Sequence, residues 1–403
     1  MNLASLMLRR SLAWKALPAF LILVVLNTLL RPLSWRHEPM WAVYQYNFTV
    51  MLLGPLVAGV AGWEGYRISR SSDFLSGHHR PIALLASTWA AVFAWCAAAF
   101  IAGLAVVIGI VAGSGTPMLF GIHELVTPLP ALALLAAECA LGLVAGWIGR
   151  SKLAAPLAAI TIFLATLLLY AGDLSEFVMV GGATSSLVGL QPKLSTQMAQ
   201  ALFYCSVTLV SLLLGAWFAS WYRIPRWPVL AGASALACAA ALQLATVSPL
   251  YLEERKGDVE CSGSSPEICL GRSYTGYEPH LRKNLAPFVE AMHTLDLPSP
   301  AAFRQDALTT DRDTGQLGLD TIQGDKDLLV DMFLGTYYGS SCEILPGNAM
   351  EKHYFNARFW LANTAGATPN DDPVVDPKMI RGTVKERADL ARASFKGLMS
   401  CNG

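Results

Sequence analysis

Apolar residues fill long, almost unbroken runs over the first 250 positions and then give way to short periodic stretches. Seven runs, at about 14–34, 44–66, 82–113, 125–148, 153–172, 198–222 and 227–249, each supply the roughly 20 helical residues that a bilayer core requires. A buried helix of a soluble protein imitates one such run, but not seven. The first is the least clean, because Lys15 and Arg31 bracket it. The third is long enough to tilt or to end in an interfacial turn.

The polar breaks between the runs are unequal. Arg150-Ser151-Lys152 and the RIPRWP stretch at 223–228 are minimal turns, whereas 67–80 is a sizeable basic break. Residues 173–197 are too polar to span and too apolar for a plain loop, which predicts a short interfacial or re-entrant pair of helices. Beyond Tyr251 a Gly/Ser-rich lead-in, VECSGSSPEICLG, precedes a helical period at Leu281, Leu285, Phe288, Val289, Met292 and Leu295. Further helical patterns at about 326–337 and 348–363, and an amphipathic final helix TVKERADLARASFKGLMSC, complete a small, mostly helical domain with a few strands. The predicted fold is therefore an all-α polytopic membrane protein, with a transmembrane domain over 1–250 and a second domain over 251–403.

Charge orients this layout. Residues 1–250 hold 13 Lys/Arg against 7 Asp/Glu, and residues 251–403 hold 16 against 22, so a net charge of zero hides +6 and −6 halves. With the N-terminus cytoplasmic, the inside loops carry Arg9, Arg10, Lys15, Arg67, Arg70, Arg80, Arg150, Lys152, Arg223 and Arg226. The outside loops then carry only Arg31, Arg36 and Lys193, as the positive-inside bias requires. Seven spans place 251–403 outside the cytoplasm. The basic-then-apolar N-terminus has no small-residue cleavage site after it and reads as a signal anchor. No basic cluster interleaved with aromatics points to nucleic acid.

Cysteine usage agrees with that orientation. Cys96, Cys139, Cys205 and Cys238 fall in apolar runs, and Cys261, Cys269, Cys342 and Cys401 fall in the polar C-terminal region. An even number there suits two disulfides in an oxidising compartment. Of three possible pairings, the local one, Cys261–Cys269 with Cys342–Cys401, is preferred.

Candidate chemistry is sparse. The chain has no GxxxxGK[ST], no HExxH and no GxSxG, so it carries no P-loop of its own and no catalytic signature. His280, Glu290, His293, Glu351 and His353 match no zinc-ligand spacing. Glu138, within LLAAECALGL, is the notable intramembrane polar residue. It reads either as a gate, an ion-coupled step or a contact to a polar substrate group, or as a polar tie between helices. Asn47-Phe48-Thr49 matches the glycosylation pattern at a span boundary, where the match is read as accidental. In the 67–80 break, Ser71, Ser72 and Asp73 can cap a short helix from which Phe74 and Leu75 project towards a membrane surface or a groove in a soluble partner.

The stretch FTVMLLGPLVAGVAGWEGYRISRSSDFLSGHHRP, with an acidic residue closing the second span and a short polar helix ending in Arg-Pro, resembles the permease subunits of type-2 ABC transporters, the actinobacterial ones most of all. The resemblance covers about residues 10–222. It implies that residues 64–80 form a coupling helix seated in a cytosolic P-loop ATPase, with Glu64, Arg67, Arg70, Phe74 and Leu75 as contacts. It also implies a dimer of permeases, homo- or heteromeric, in the lipid of a bacterial cytoplasmic membrane. This chain would then bind no cofactor, with ATP and Mg held on the partner ATPase. The cargo would be a lipid, peptide or hydrophobic natural product that is exported. Two features depart from the family core, which has six spans: the seventh run, which turns the tail outward, and the C-terminal domain. A membrane-anchored sensor, immunity or binding protein is the alternative reading, and a tethered envelope enzyme a third.

Overall fold

In a computed structural model of the whole chain, the described residues are 3–31, 33–70, 81–114, 121–172, 175–182, 186–219, 227–246, 252–255, 257–264, 266–305, 314–324, 326–335, 344–345, 347–369 and 372–400. They are mostly helical and separate into two compact units, Met1–Glu254 and Arg255–Gly403.

The first unit contains helices α1 (Leu3–Arg10), α2 (Ala13–Leu29), α3 (Pro39–Asn47), α4 (Val50–Arg70), α5 (Pro81–Gly113), α6 (Ile122–Val126), α7 (Pro128–Gly149), α8 (Ala154–Ala171), α9 (Leu194–Ala219) and α10 (Trp227–Thr246). Among the described residues, five stretches are long and apolar enough to cross a membrane: Pro39–Arg70, Pro81–Gly113, Ile122–Gly149, Ala154–Ala171 and Leu194–Phe218. The apolar α2 is shorter, at 17 residues.

Burial ranks these helices. In the most apolar window of Ile122–Gly149, 72% of the residues are buried, against 17% in Ala154–Ala171. α7 is therefore the central post, and α8 is a peripheral helix whose Leu157, Ile160, Phe163, Leu164 and Leu168 are exposed. Small residues bring α4 against α7. Ala58 and Gly62 on α4 face Gly142 and Gly146 on α7, and Gly65, on the same face of α4, meets the backbone of Leu143 and Trp147. A side chain added at Gly146 would overlap the Gly62 carbonyl, and one at Gly142 would overlap that of Ala58. Without a hydrophobic driving force between helices in lipid, such close backbone approach is what makes them adhere. Proline and alanine set the flanks: α7 begins at Pro128, which needs no amide partner, and α8 meets α4 through Ala155 and Ala159.

The segment between α8 and α9 differs from the expected pair of short helices. Its described residues form a 3₁₀ turn at Ser175–Phe177 and a strand β1 (Leu190–Pro192), which pairs antiparallel with β2 (Leu252–Glu254) beyond α10. Long-range bonds hold it in place. The buried Glu38 carboxylate accepts from Ser186 Oγ at 2.6 Å and from the Leu187 amide at 2.9 Å. Asn47 donates to the carbonyls of Thr127 and Val180, at 2.7 and 3.0 Å. Asn47 is fully buried with its amide nitrogen engaged twice, so the Asn-Phe-Thr match is no glycan acceptor in the folded chain.

The second unit pairs helices with a four-stranded sheet in the order β3 (Val259–Ser262), β4 (Glu267–Gly271), β5 (Ala302–Gln305), β6 (Thr314–Leu317). β3 and β4 form an antiparallel hairpin and the remaining pairings are parallel, so this unit is more mixed than its helical sequence pattern announces. Cys261 lies directly opposite Cys269 in the hairpin, and the two are disulfide-bonded. Cys342 and Cys401 lie outside the described residues. Helices α11 (Glu278–Thr294), α12 (Leu319–Gln323), α13 (Lys326–Gly335), α14 (Ala349–Ala365), α15 (Pro377–Arg381) and α16 (Val384–Ser400) complete the unit. Phe288 and Phe303 both pack on Phe333, with ring centroids 5.5 and 5.8 Å apart, and join helix to sheet. Arg282 closes the hairpin by donating to the Ser262 carbonyl at 3.0 Å while paired with Glu278 at 2.6 Å. Gly263 turns the hairpin at φ +76°, a left-handed backbone that also leaves room for the Arg282 guanidinium.

Two tests follow from this packing. Gly146→Leu should cost at least the ~1–3 kcal/mol of an overpacked core, lowering the melting temperature and monodispersity of the detergent-solubilised protein. Leu141→Ala, at an exposed site on the same helix, should leave both near wild type. In the second unit, partial burial against Gly397 holds the His353 imidazole below its ordinary 6.5, so the folded state prefers it neutral. As pH falls below about 6.5 the unfolded chain takes up this proton first, and stability should decline until the folded value is passed. Hydrogen-exchange protection across α14, taken relative to the intrinsic exchange at each pH, should fall over that window in the wild type and respond less in His353→Asn.

Candidate functional site

Two features of the α4–α7 pair invite a functional reading, one midway along the seam and one at the end of α4.

Midway, Glu138 is one helical turn before Gly142 on the buried face of α7, with 3% of its surface exposed. Its carboxylate rests on the bare Cα of Gly54, where any side chain would collide with it. Among the described residues neither oxygen has a hydrogen-bond partner of normal geometry, although Thr166 of α8 is its polar neighbour. The Tyr204 hydroxyl of α9, equally buried and unpartnered, stands within electrostatic reach. Cys139 and Cys96 complete the surroundings, and among the described residues no cationic side chain acts on the carboxylate. An unpaired carboxylate at this depth is costly in its charged form, so the site suits a proton, or a hydrogen-bonding group brought in by something that binds there. Sequence reasoning found Glu138 because a carboxylate in an apolar run is conspicuous. It did not find Tyr204, which looks like any other aromatic in a span.

At the end of α4, Glu64 is buried while Arg67 and Arg70 are exposed. Glu64 pairs with Arg67 at 3.0 Å. The same carboxylate accepts from the Leu12 amide and from Ser11 Oγ, so it caps the start of α2. Of the five residues expected to contact a partner, Glu64 is engaged inside its own chain, where its bonds tie α4 to the start of α2. Arg70 donates to the Tyr66 hydroxyl at 3.1 Å and sits over its ring. Phe74 and Leu75 lie outside the described residues.

The remaining candidates do not assemble. The one grouping of three potential metal ligands among the described residues is Cys261, Glu267 and Cys269, whose cysteines are bonded to each other. His280 faces Asn284 at 3.0 Å, and no cluster joins it with His293 or His353. Comparison with known protein families, curated proteins and solved structures finds no match.

The Gly54–Glu138 contact is open to a double-mutant cycle. Gly54→Ala alone should lower the melting temperature, because its methyl meets the carboxylate. Adding Glu138→Ala should recover much of that loss. Glu138→Gln keeps the shape without a charge and should match or exceed wild-type stability; a marked loss would show that the carboxylate has an ionic partner.

Proposed function

We propose that the chain is the transmembrane subunit of an ATP-driven exporter, working as a dimer with a separate cytosolic ATPase. The observation that carries this reading is the construction of α4. It is a long apolar helix ending in the exposed Arg67 and Arg70, beside a short basic break, and it is fixed to α7 by direct backbone packing. A push delivered at residues 71–80 would be transmitted along a rigid pair rather than absorbed by side-chain slack. The resemblance of the same stretch to type-2 ABC permeases supports the assignment, with 64–80 as the coupling helix. In this reading α2 and α10 join the five long helices as the first and seventh spans. The N-terminus is cytoplasmic, and Arg255–Gly403 lies outside the cytoplasm, where the Cys261–Cys269 disulfide is at home. Closure of two ATPases would draw the coupling helices together and switch the opposite gate. The apolar surroundings favour a lipid-like or amphipathic cargo.

Pull-down of the solubilised protein, followed by mass spectrometry of what co-purifies, tests the reading. Wild type should bring a P-loop ATPase, and Phe74→Asp/Leu75→Asp should lose it while keeping its melting temperature. If no ATPase appears in several mild detergents, the basic break is a topology signal alone, and a binding or sensing role for residues 255–403 becomes the better account.

A further inference from the structure

A cleft open to the surface lies where α2, α3 and α5 meet, lined by Asn27, Arg31, Trp35, Gln45 and Tyr46 among others. Arg31 is its charged member. The guanidinium stacks over the Phe48 ring, 4.7 Å from the centroid. It donates to the Gln45 carbonyl and to Asn27 Oδ1, both at a long 3.4 Å. No carboxylate pairs with it among the described residues, so most of its five N–H donors are unused. Beside it, Gln45 Oε1 is buried without a donor. The cleft therefore offers a cation in need of an anion next to an acceptor in need of a donor.

The surface leading to this cleft is apolar. Ile22, Leu26 and Leu29 recur at i, i+4 and i+7 along one face of α2, all exposed, and Leu30 next to Arg31 is 80% exposed. Such a stripe ending at an unpaired arginine matches a molecule with a hydrocarbon tail and a head that combines phosphate with a hydroxyl or ammonium. Arg is the residue suited to grip phosphate with two parallel bonds.

We infer that this cleft is a head-group site for an amphipathic phosphate. Arg31 binds the phosphate, Gln45 Oε1 accepts from the head's own hydroxyl or ammonium, and the Ile22–Leu29 stripe carries the tail. The inference concerns the first unit alone and does not depend on transport.

Native mass spectrometry of the full chain in mild detergent, titrated with phosphatidylglycerol, phosphatidylethanolamine or phosphatidylcholine, provides the test. The first two heads carry a donor, and the choline head has the phosphate without one. Wild type should retain one phosphatidylglycerol or phosphatidylethanolamine in preference to phosphatidylcholine. Arg31→Ala should bind all three at least tenfold more weakly, as expected for a lost charge-assisted bond, and Arg36→Ala should bind like wild type. Gln45→Leu, with Arg31 intact, should abolish the preference over phosphatidylcholine; this variant keeps the test decisive if Arg31→Ala fails to fold. Soluble glycerol phosphate separates the sources: equal binding without a tail would assign the site to a free anion and remove the role of the stripe. Undiminished retention by a folded Arg31→Ala, or an equal loss in Arg36→Ala, would overturn the inference.

Discussion

The fold of the first unit depends on how closely two backbones approach. Where α4 and α7 cross, Gly142 and Gly146 lie against the carbonyls of Ala58 and Gly62, with no side chain between. A bilayer gives apolar helices no reason to leave lipid for each other, so adhesion must come from contact density, and glycine maximises it. The arrangement fixes what surrounds it. It places Glu138 on the bare flank of Gly54, sets α8 against α4 through alanines, and leaves α9 and α5 to close around a post already formed.

The two ends of α4 are secured differently. At the Arg70 end a single carboxylate, Glu64, holds its neighbour Arg67 and the first turn of α2. At the other end α3 is buried along nearly its whole length, and the chain between α8 and α9 is laced onto it through Glu38, Tyr44 and Asn47. Because polar bonds in a low-dielectric setting are strong when made and costly when missing, these ties specify one arrangement.

What was legible in the sequence divides along the same line. Long apolar helices are a local property of composition, and the chain announces them. The Cys261–Cys269 bond was legible because eight residues separate the pair within a turn-rich stretch. The lacing of residues 175–192 was not, since its partners are at 38, 44, 47 and 252–254 and no periodicity encodes such distant bonds. That the glycines of α4 are contact points was not legible either, because a single sequence does not show which helix faces which. Glu64 looked like a surface contact, yet the feature that buries it, the start of α2, lies more than fifty residues upstream.

The peripheral helix α8 has a consequence for how such chains diverge. Only Ala155, Ala158 and Thr166 of its eighteen residues are buried. Apart from Ala159 against α4 and Tyr170 against Phe48, most of the remaining positions are exposed and ask for nothing beyond a greasy side chain, so leucine, isoleucine, valine and phenylalanine are interchangeable there at little cost. Mutation can thus rewrite most of this helix without selection noticing. Kinship between this chain and another would then be read from a few small residues rather than from overall identity, which decays fastest where the membrane is the only neighbour.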